Sequence, residues 1–174
     1  TKSFLKEVSS FNPYWIEEPV DGENISLLTE IKNAFNMKVV TGEKQSGLVH
    51  FRELIKRNAA DIFNPDISGM GGLIDIIKIS NEASNNGISI SPHCWNSMSV
   101  SASAMLHVCS SISNSEKAEI FPDYINFSKK FCELPFDIVD NKAHINKSAG
   151  LGIVIHEDIL SELSIYSLDE NSND

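Results

Sequence analysis

Basic side chains are scarce in this 174-residue chain: Lys and Arg together number 14 against 24 Asp and Glu, a formal charge of −10. A field of that sign excludes the clustered-cation route to nucleic acid or to an anionic membrane surface. It leaves room for a small anionic substrate, because a bound divalent cation reverses the sign locally. Cysteine is also sparse. Cys94, Cys109 and Cys132 are an odd set with no CxxC pair, so neither a disulfide framework nor zinc-type spacing is present, and a reduced, cytoplasmic setting is expected. No apolar run approaches the ~18 residues of a membrane-spanning helix. Glycines gather at Gly69, Gly71 and Gly72, but without GxGxxG or Walker spacing they read as a tight strand-to-helix turn and not as a phosphate cradle. The start, Thr1-Lys2-Ser3-Phe4-Leu5, has no secretory apolar region and reads as a helix joined midway, so a fragment is expected. The acidic tail 169–174 is expected to be disordered.

What is present is an alternation of short apolar runs and longer amphipathic stretches. Trp15-Ile16, Val39-Val40, Asp61-Ile62-Phe63, Ile88-Ser89-Ile90-Ser91 and Ala118-Glu119-Ile120-Phe121 read as strands. Ile25 to Phe35, Phe51 to Arg57, Leu73 to Ser84 and Ser97 to Cys109 carry apolar or small residues at helical spacing. Strands alternating with helices predict βαβ units, hence a parallel sheet with right-handed crossovers.

Each predicted strand stops at an ionisable residue. Glu17, Glu43, Asp66, His93 and Glu119 follow one another at steps of 26, 23, 27 and 26 residues, about the length of a strand, a helix and two short loops. One polar group per repeat, each at a strand's C-terminal end, is how a closed barrel gathers chemistry on one face. An open doubly wound sheet concentrates its site at one switch point instead. The expected fold is therefore α/β, the C-terminal part of a (β/α)₈ barrel, about strands 4 to 8.

The same residues carry a resemblance. Trp15-Ile16-Glu17-Glu18-Pro19-Val20, Thr41-Gly42-Glu43, Asn64-Pro65-Asp66 with Gly71-Gly72, Ser91-Pro92-His93, Ala118-Glu119 and the closing Gly150-Leu151-Gly152-Ile153 resemble successive motifs of the enolase superfamily, mandelate racemase branch. The resemblance covers residues 1 to 165. It implies that Glu17 and Glu43 are Mg²⁺ ligands, that His93 is a general base with Asp66 as its partner, and that Glu119 hydrogen-bonds the substrate carboxylate. Hard cations take carboxylate oxygens, and a cation beside a matched base answers the weak acidity of a carbon next to a carboxylate.

Glu18 competes with Glu17 for the ligand role. Adjacent strand residues point to opposite faces, so only one faces inward, and the family pattern favours Glu17. His50, His107, His144 and His156 are assigned structural roles, and Lys44 that of a solvated neighbour within reach of an anionic substrate. A muconate lactonizing relationship is disfavoured, because that branch has a Lys where this chain has Asp66. Intact relatives add an N-terminal capping domain and three earlier strands, which supply a third metal acid and a Lys motif. Both are absent here, so the 174-residue chain alone is expected to be inactive.

The expected division is residues 1–135 as partial barrel and 136–168 as a segment packing back on the capping domain. The activity implied is Mg²⁺-dependent removal of the proton alpha to a carboxylate, leading to dehydration of a sugar acid. Racemisation or epimerisation of a 2-hydroxy acid on the same scaffold is the alternative. A non-catalytic remnant or partner subunit is the reading from a different class, against which the retention of Asp66, His93 and Glu119 weighs. A homo-oligomer is expected for the full-length form.

Overall fold

In a computed structural model, residues 1–94 and 98–163 are described. The first 90 residues alternate as expected: α1 (Lys2–Val8), β1 (Trp15–Glu17), α2 (Ile25–Ala34), β2 (Lys38–Thr41), α3 (Leu48–Lys56), β3 (Ile62–Phe63), α4 (Leu73–Ser84) and β4 (Ser89–Ile90). The four strands form one parallel sheet in sequence order, with Glu17 opposite Val40, Thr41 opposite Phe63 and Phe63 opposite Ile90. Sequential parallel neighbours, each joined by a helix, make one wall of a barrel.

Local chemistry sets the helix boundaries. Asn24 caps α2 by accepting a hydrogen bond from the Leu27 amide at 3.2 Å, satisfying one of the donors left unpaired at a helix start. Gly71 and Gly72, at φ 113° and 115°, turn the chain into α4 through a region closed to most side chains. Helix α5 (Ser99–Ser111) buries Ser99, Ala102, Ser103 and Ala104 along with Met105, Leu106 and Val108. Small residues let this helix lie close to its neighbours.

The last expected strand is displaced. Ala118–Phe121 forms no strand; the parallel pairing occurs three residues earlier, as a bridge between Ser115 and Ile90. Asn114 explains the shift. Its carboxamide oxygen accepts from Ser80 Oγ at 2.6 Å, its Nδ2 donates to the Ser80 and Ile88 carbonyls, and its own carbonyl accepts from the Ile90 amide. A polar Ser-Asn-Ser run thus takes the place that apolar residues normally fill in a strand.

Beyond α6 (Pro122–Ser128) the pairing becomes antiparallel. β5 (Cys132–Glu133) pairs with β8 (Val154–Ile155), β6 (Phe136–Val139) with β7 (Lys142–Ile145), and α7 (Glu157–Leu163) follows. Ile138, Val139, Val154 and Ile155 on these ribbons are exposed. The 169–174 tail lies outside the described residues, as does Ser97 at the expected start of α5. The core lies between the sheet and its helices, centred on Phe51, Phe63, Leu54, Ile76 and Ile79. Phe51 and Phe63 meet edge to face at 5.1 Å, a favoured aromatic geometry. Among the described residues no helix is long and apolar enough to cross a membrane.

Candidate active site

The C-terminal ends of the strands converge. Beyond β3 and β4 the parallel pairing continues through the Ser91 amide to the Phe63 carbonyl at 2.8 Å and on to a bridge between Asp66 and His93. That register sets the two side chains next to one another. Asp66 Oδ2 lies 2.8 Å from His93 Nδ1, while Asp66 Oδ1 accepts the amides of Ser68 and Gly69 at 2.7 and 3.0 Å. Both carboxylate oxygens are thereby held, and so is the imidazole. With Nδ1–H donated to Asp66, a neutral ring presents the Nε2 lone pair to the opposite side.

That side faces the other predicted residues. His93 Nε2 is 3.4 Å from Glu43 Oε2 and 4.0 Å from Glu119 Oε2. Glu119 Oε2 also accepts the Cys94 amide at 2.8 Å. Glu17, Glu119 and His93 share the wall of a cavity of about 180 Å³ with Asn64, Ser91 and Lys117. Larger hollows of about 460 and 800 Å³ lie at the opposite strand ends near Lys38 and between α5 and the β6–β7 ribbon. Neither contains His93 or the acids paired with it, so chemistry and not volume decides which cavity matters.

The two adjacent glutamates separate, Glu17 ending β1 and Glu18 lying just beyond the pleat. Glu17 points to the cavity, whereas Glu18, at φ 41°, turns aside and accepts from Thr41 Oγ1 at 2.6 Å and Lys44 Nζ at 3.2 Å. Glu18 is thus committed to tying the end of β1 to the end of β2. Lys44, solvent-exposed, lies between Glu18 and Glu43. Gly42 sets the position of Glu43: at φ 135° it carries no Cβ, and one placed there would sit 2.8 Å from the buried Phe51 ring.

The electrostatics of the cluster are unbalanced. Partial burial pushes the Glu17 carboxyl above the ordinary carboxylate range, and the negative charges of Glu119 and Glu43 push it the same way. A hydrogen bond from Asn64 and the nearness of His93 oppose the shift. One side of Glu17 remains open to solvent, and its raised affinity for a proton comes from the protein packed on the other side. Among the described residues no three His, Cys, Asp or Glu side chains close on one ion-sized point. Glu17 and Glu43 nevertheless offer hard oxygen donors where positive charge is wanted, which fits two ligands of a Mg²⁺-type ion.

The histidines given structural roles are elsewhere: His50 Nε2 meets the Gly22 carbonyl at 3.2 Å, and His107 lies half-buried on α5. Sequence reasoning passed over Asn64, whose Nδ2 donates to Glu17 Oε1 at 2.8 Å. The signal was its place in the Asn64-Pro65-Asp66 motif, of which only Asp66 was given a role.

Residues 1–159 match the family described as "Enolase C-terminal domain-like". The chain belongs to this family. The matching family model is that of the C-terminal domain of the mandelate racemase and muconate lactonizing enzymes, within the enolase superfamily. An N-succinyl-L-Arg/Lys racemase from Bacillus cereus is 28% identical over 95% of this chain and 44% of its own length. A D-galactonate dehydratase from Klebsiella pneumoniae is 26% identical over 94% and 44%. The crystal structure of an enolase from the environmental genome shotgun sequencing of the Sargasso Sea is 96% identical, with a TM-score of 0.94 over 96% of this chain and 44% of that one. The chain therefore spans less than half the length of the relatives it matches, and its fold is the C-terminal barrel domain of that superfamily.

Proposed function

We propose that the longer polypeptide carrying this chain removes the proton from the carbon next to a carboxylate, and that the usual outcome is dehydration of a sugar acid. The observation that carries this reading is the Asp66–His93 pair at 2.8 Å, with Nε2 facing Glu43 and Glu119. His93 Nε2 takes the proton. Asp66 holds the ring in the productive tautomer and stabilises the imidazolium that forms. The electron pair left behind moves into the carboxylate as an enediolate, to whose oxygen Glu119, in its carboxylic acid form, would donate a hydrogen bond. The β C–O bond then breaks, hydroxide leaves as water with the proton that the His93 imidazolium gives back, and the enol product relaxes to a 2-keto acid. A Mg²⁺ ion held by Glu17 and Glu43 would supply positive charge where the enediolate develops.

Relatives named D-galactonate dehydratase and D-galactarolactone cycloisomerase support carboxylate chemistry on sugar acids. A second reading, racemisation or epimerisation, is favoured by the racemase relative at 28% identity. It uses the same base and returns a proton instead of losing hydroxide. We further infer that residues 136–168 pack on a capping domain, in keeping with the exposed Ile138, Val139, Val154 and Ile155. The 174-residue chain by itself, with two acidic ligands, should bind Mg²⁺ weakly and be inactive.

The test is solvent-deuterium exchange into a panel of sugar acids by the longest polypeptide that carries this chain. Exchange with appearance of a 2-keto acid supports dehydration, and exchange with the hydroxyl retained supports racemisation. His93→Asn keeps the size of the ring site and removes the proton acceptor, so exchange should fall by about 10²–10⁴-fold. Parental exchange of every accepted acid by that variant would remove the base assignment.

A further inference from the structure

We propose that Asn64 is a positioning residue for Glu17, retained for the site and not for the fold. The inference rests on the reading that Glu17 is a ligand of a divalent cation. Asn64 sits just past β3 and is 2% exposed. Its backbone is pinned by the amide bond to the Thr41 carbonyl at 3.1 Å, and its Nδ2 donates to Glu17 Oε1 at 2.8 Å across 47 residues of sequence. The other half of the carboxamide behaves differently. Oδ1 is buried and has no hydrogen-bond partner among the described residues.

A buried acceptor without a partner costs stability, whereas an apolar group of the same shape would cost nothing there. Asn64 is therefore a poor choice for packing alone. Among the described residues the one hydrogen bond of its side chain goes to the Glu17 carboxylate. The contact fixes one oxygen of Glu17 and leaves Oε2 to face a ligand. Groups that orient metal-binding side chains in this way typically change affinity by about 10–100-fold when removed. Asn64 also ties β1, which carries Glu17, to the segment that carries Asp66, so one amide links the acidic donors to the base pair.

The experiment measures Mn²⁺, an EPR-visible ion with the same preference for oxygen ligands, bound by the longest polypeptide that carries this chain. Asn64→Leu should bind Mn²⁺ about 10–100-fold more weakly while its Tm stays at or above the parental value. In a Glu17→Gln background, Asn64→Leu should change Mn²⁺ affinity little further, because the amide acts through Glu17. Asn64→Ala, which is smaller and fits without strain, gives the same affinity test if the Leu variant misfolds. Parental Mn²⁺ affinity in the Leu or Ala variant overturns the proposal, as does full additivity with Glu17→Gln. A parent that binds no Mn²⁺ overturns the function proposed above together with this inference. A parent that binds, with variants that bind equally well, overturns this inference alone.

Discussion

At the N-terminal ends of the strands, Lys32 on α2 meets Asp61 at 3.0 Å, and Lys38 at the start of β2 meets Glu116 at 3.0 Å. Asp61 also caps the Val39 amide, and Glu116 is hydrogen-bonded by Tyr14. Burial alone would raise the Glu116 carboxyl, but Tyr14 and Lys38 outweigh it and hold the group below the ordinary carboxylate range. At the C-terminal ends, Glu17, Glu43 and Glu119 crowd around His93, and Glu17 shifts the other way. The two ends use the same residue types. One end pairs each acid with a Lys as it folds; at the other Lys44 reaches Glu18 and Glu43, while among the described residues Glu17 and Glu119 have no Lys or Arg within ion-pair distance. Local conflict left in an otherwise consistent fold marks where a sequence serves function instead of stability. The cluster at the C-terminal ends is where a cation would find complementary charge.

The comparison can be sharpened first at the Asp66–His93 pair. Asp66→Asn should leave the ring in place yet reduce proton exchange in the longer polypeptide by about 10²–10⁴-fold. An asparagine can donate its own N–H to Nδ1, which shifts the imidazole proton to Nε2 and blocks the lone pair that takes the substrate proton. Stability should change little by comparison. Urea denaturation beside the deuterium-exchange rate measures both, and a large loss of stability with exchange intact would mean that the pair belongs with the structural end.

Asn114 offers the converse. Its side chain satisfies Ser80 Oγ and the carbonyls of Ser80 and Ile88 in one network. Asn114→Ala leaves those groups short of partners and should cost about 2–4 kcal/mol of stability, given ~1–3 kcal/mol for each buried group left unsatisfied and partial repair by water. The rate per folded molecule should be unchanged, read as exchange at a temperature where the variant is fully folded. Gly42→Ala sits between the two ends in kind. A Cβ at φ 135° and 2.8 Å from the Phe51 ring should cost about 1–3 kcal/mol in backbone strain alone and displace Glu43, so denaturation and Mn²⁺ affinity should both suffer.

Much of this arrangement was legible in the sequence. Helix α4 runs from Leu73 to Ser84 as its apolar spacing and the preceding glycines predict, and the five ionisable residues at strand ends meet at one end of the sheet. Periodicity reads these features because each is local, or repeats at the length of one strand-helix unit. The pairing at the opposite end was not legible: Tyr14 and Glu116 are 102 residues apart, Lys38 and Glu116 78, and no local pattern announces such partners. The displaced last pairing was hidden for another reason. Ser113-Asn114-Ser115 looks like a loop until the Asn114 side chain finds Ser80 and Ile88. Glu18 was read correctly as facing away from Glu17 by pleat alternation, but its φ of 41° depends on the bonds to Thr41 and Lys44 that only the fold creates.

The smallest effect is a change of sign with pH, and it bears on the imbalance itself. Glu17 has its carboxyl raised, by burial first and then by Glu119 and Glu43. A raised acid binds its proton more tightly in the folded chain than in the unfolded one. Its contribution to stability is therefore present below the unfolded value and is lost as pH rises through the raised folded value. Without a divalent cation, Glu17 is a liability at neutral pH. Glu17→Gln keeps the shape, can still hydrogen-bond Asn64 and removes the charge, so it should raise Tm at pH 7 and lose that advantage as the pH falls and the parental carboxyl takes up its proton. Adding Mn²⁺ at pH 7 should stabilise the parent more than the variant, closing or reversing the gap, because a ligand bound only by the folded state shifts stability by mass action. Thermal melts of the two proteins at pH 7 and at lower pH, with and without Mn²⁺, measure this. A Glu17→Gln variant less stable than the parent at pH 7 without metal would mean that the acids at the C-terminal ends are as well paired as those at the other end, and the contrast drawn between them would fail.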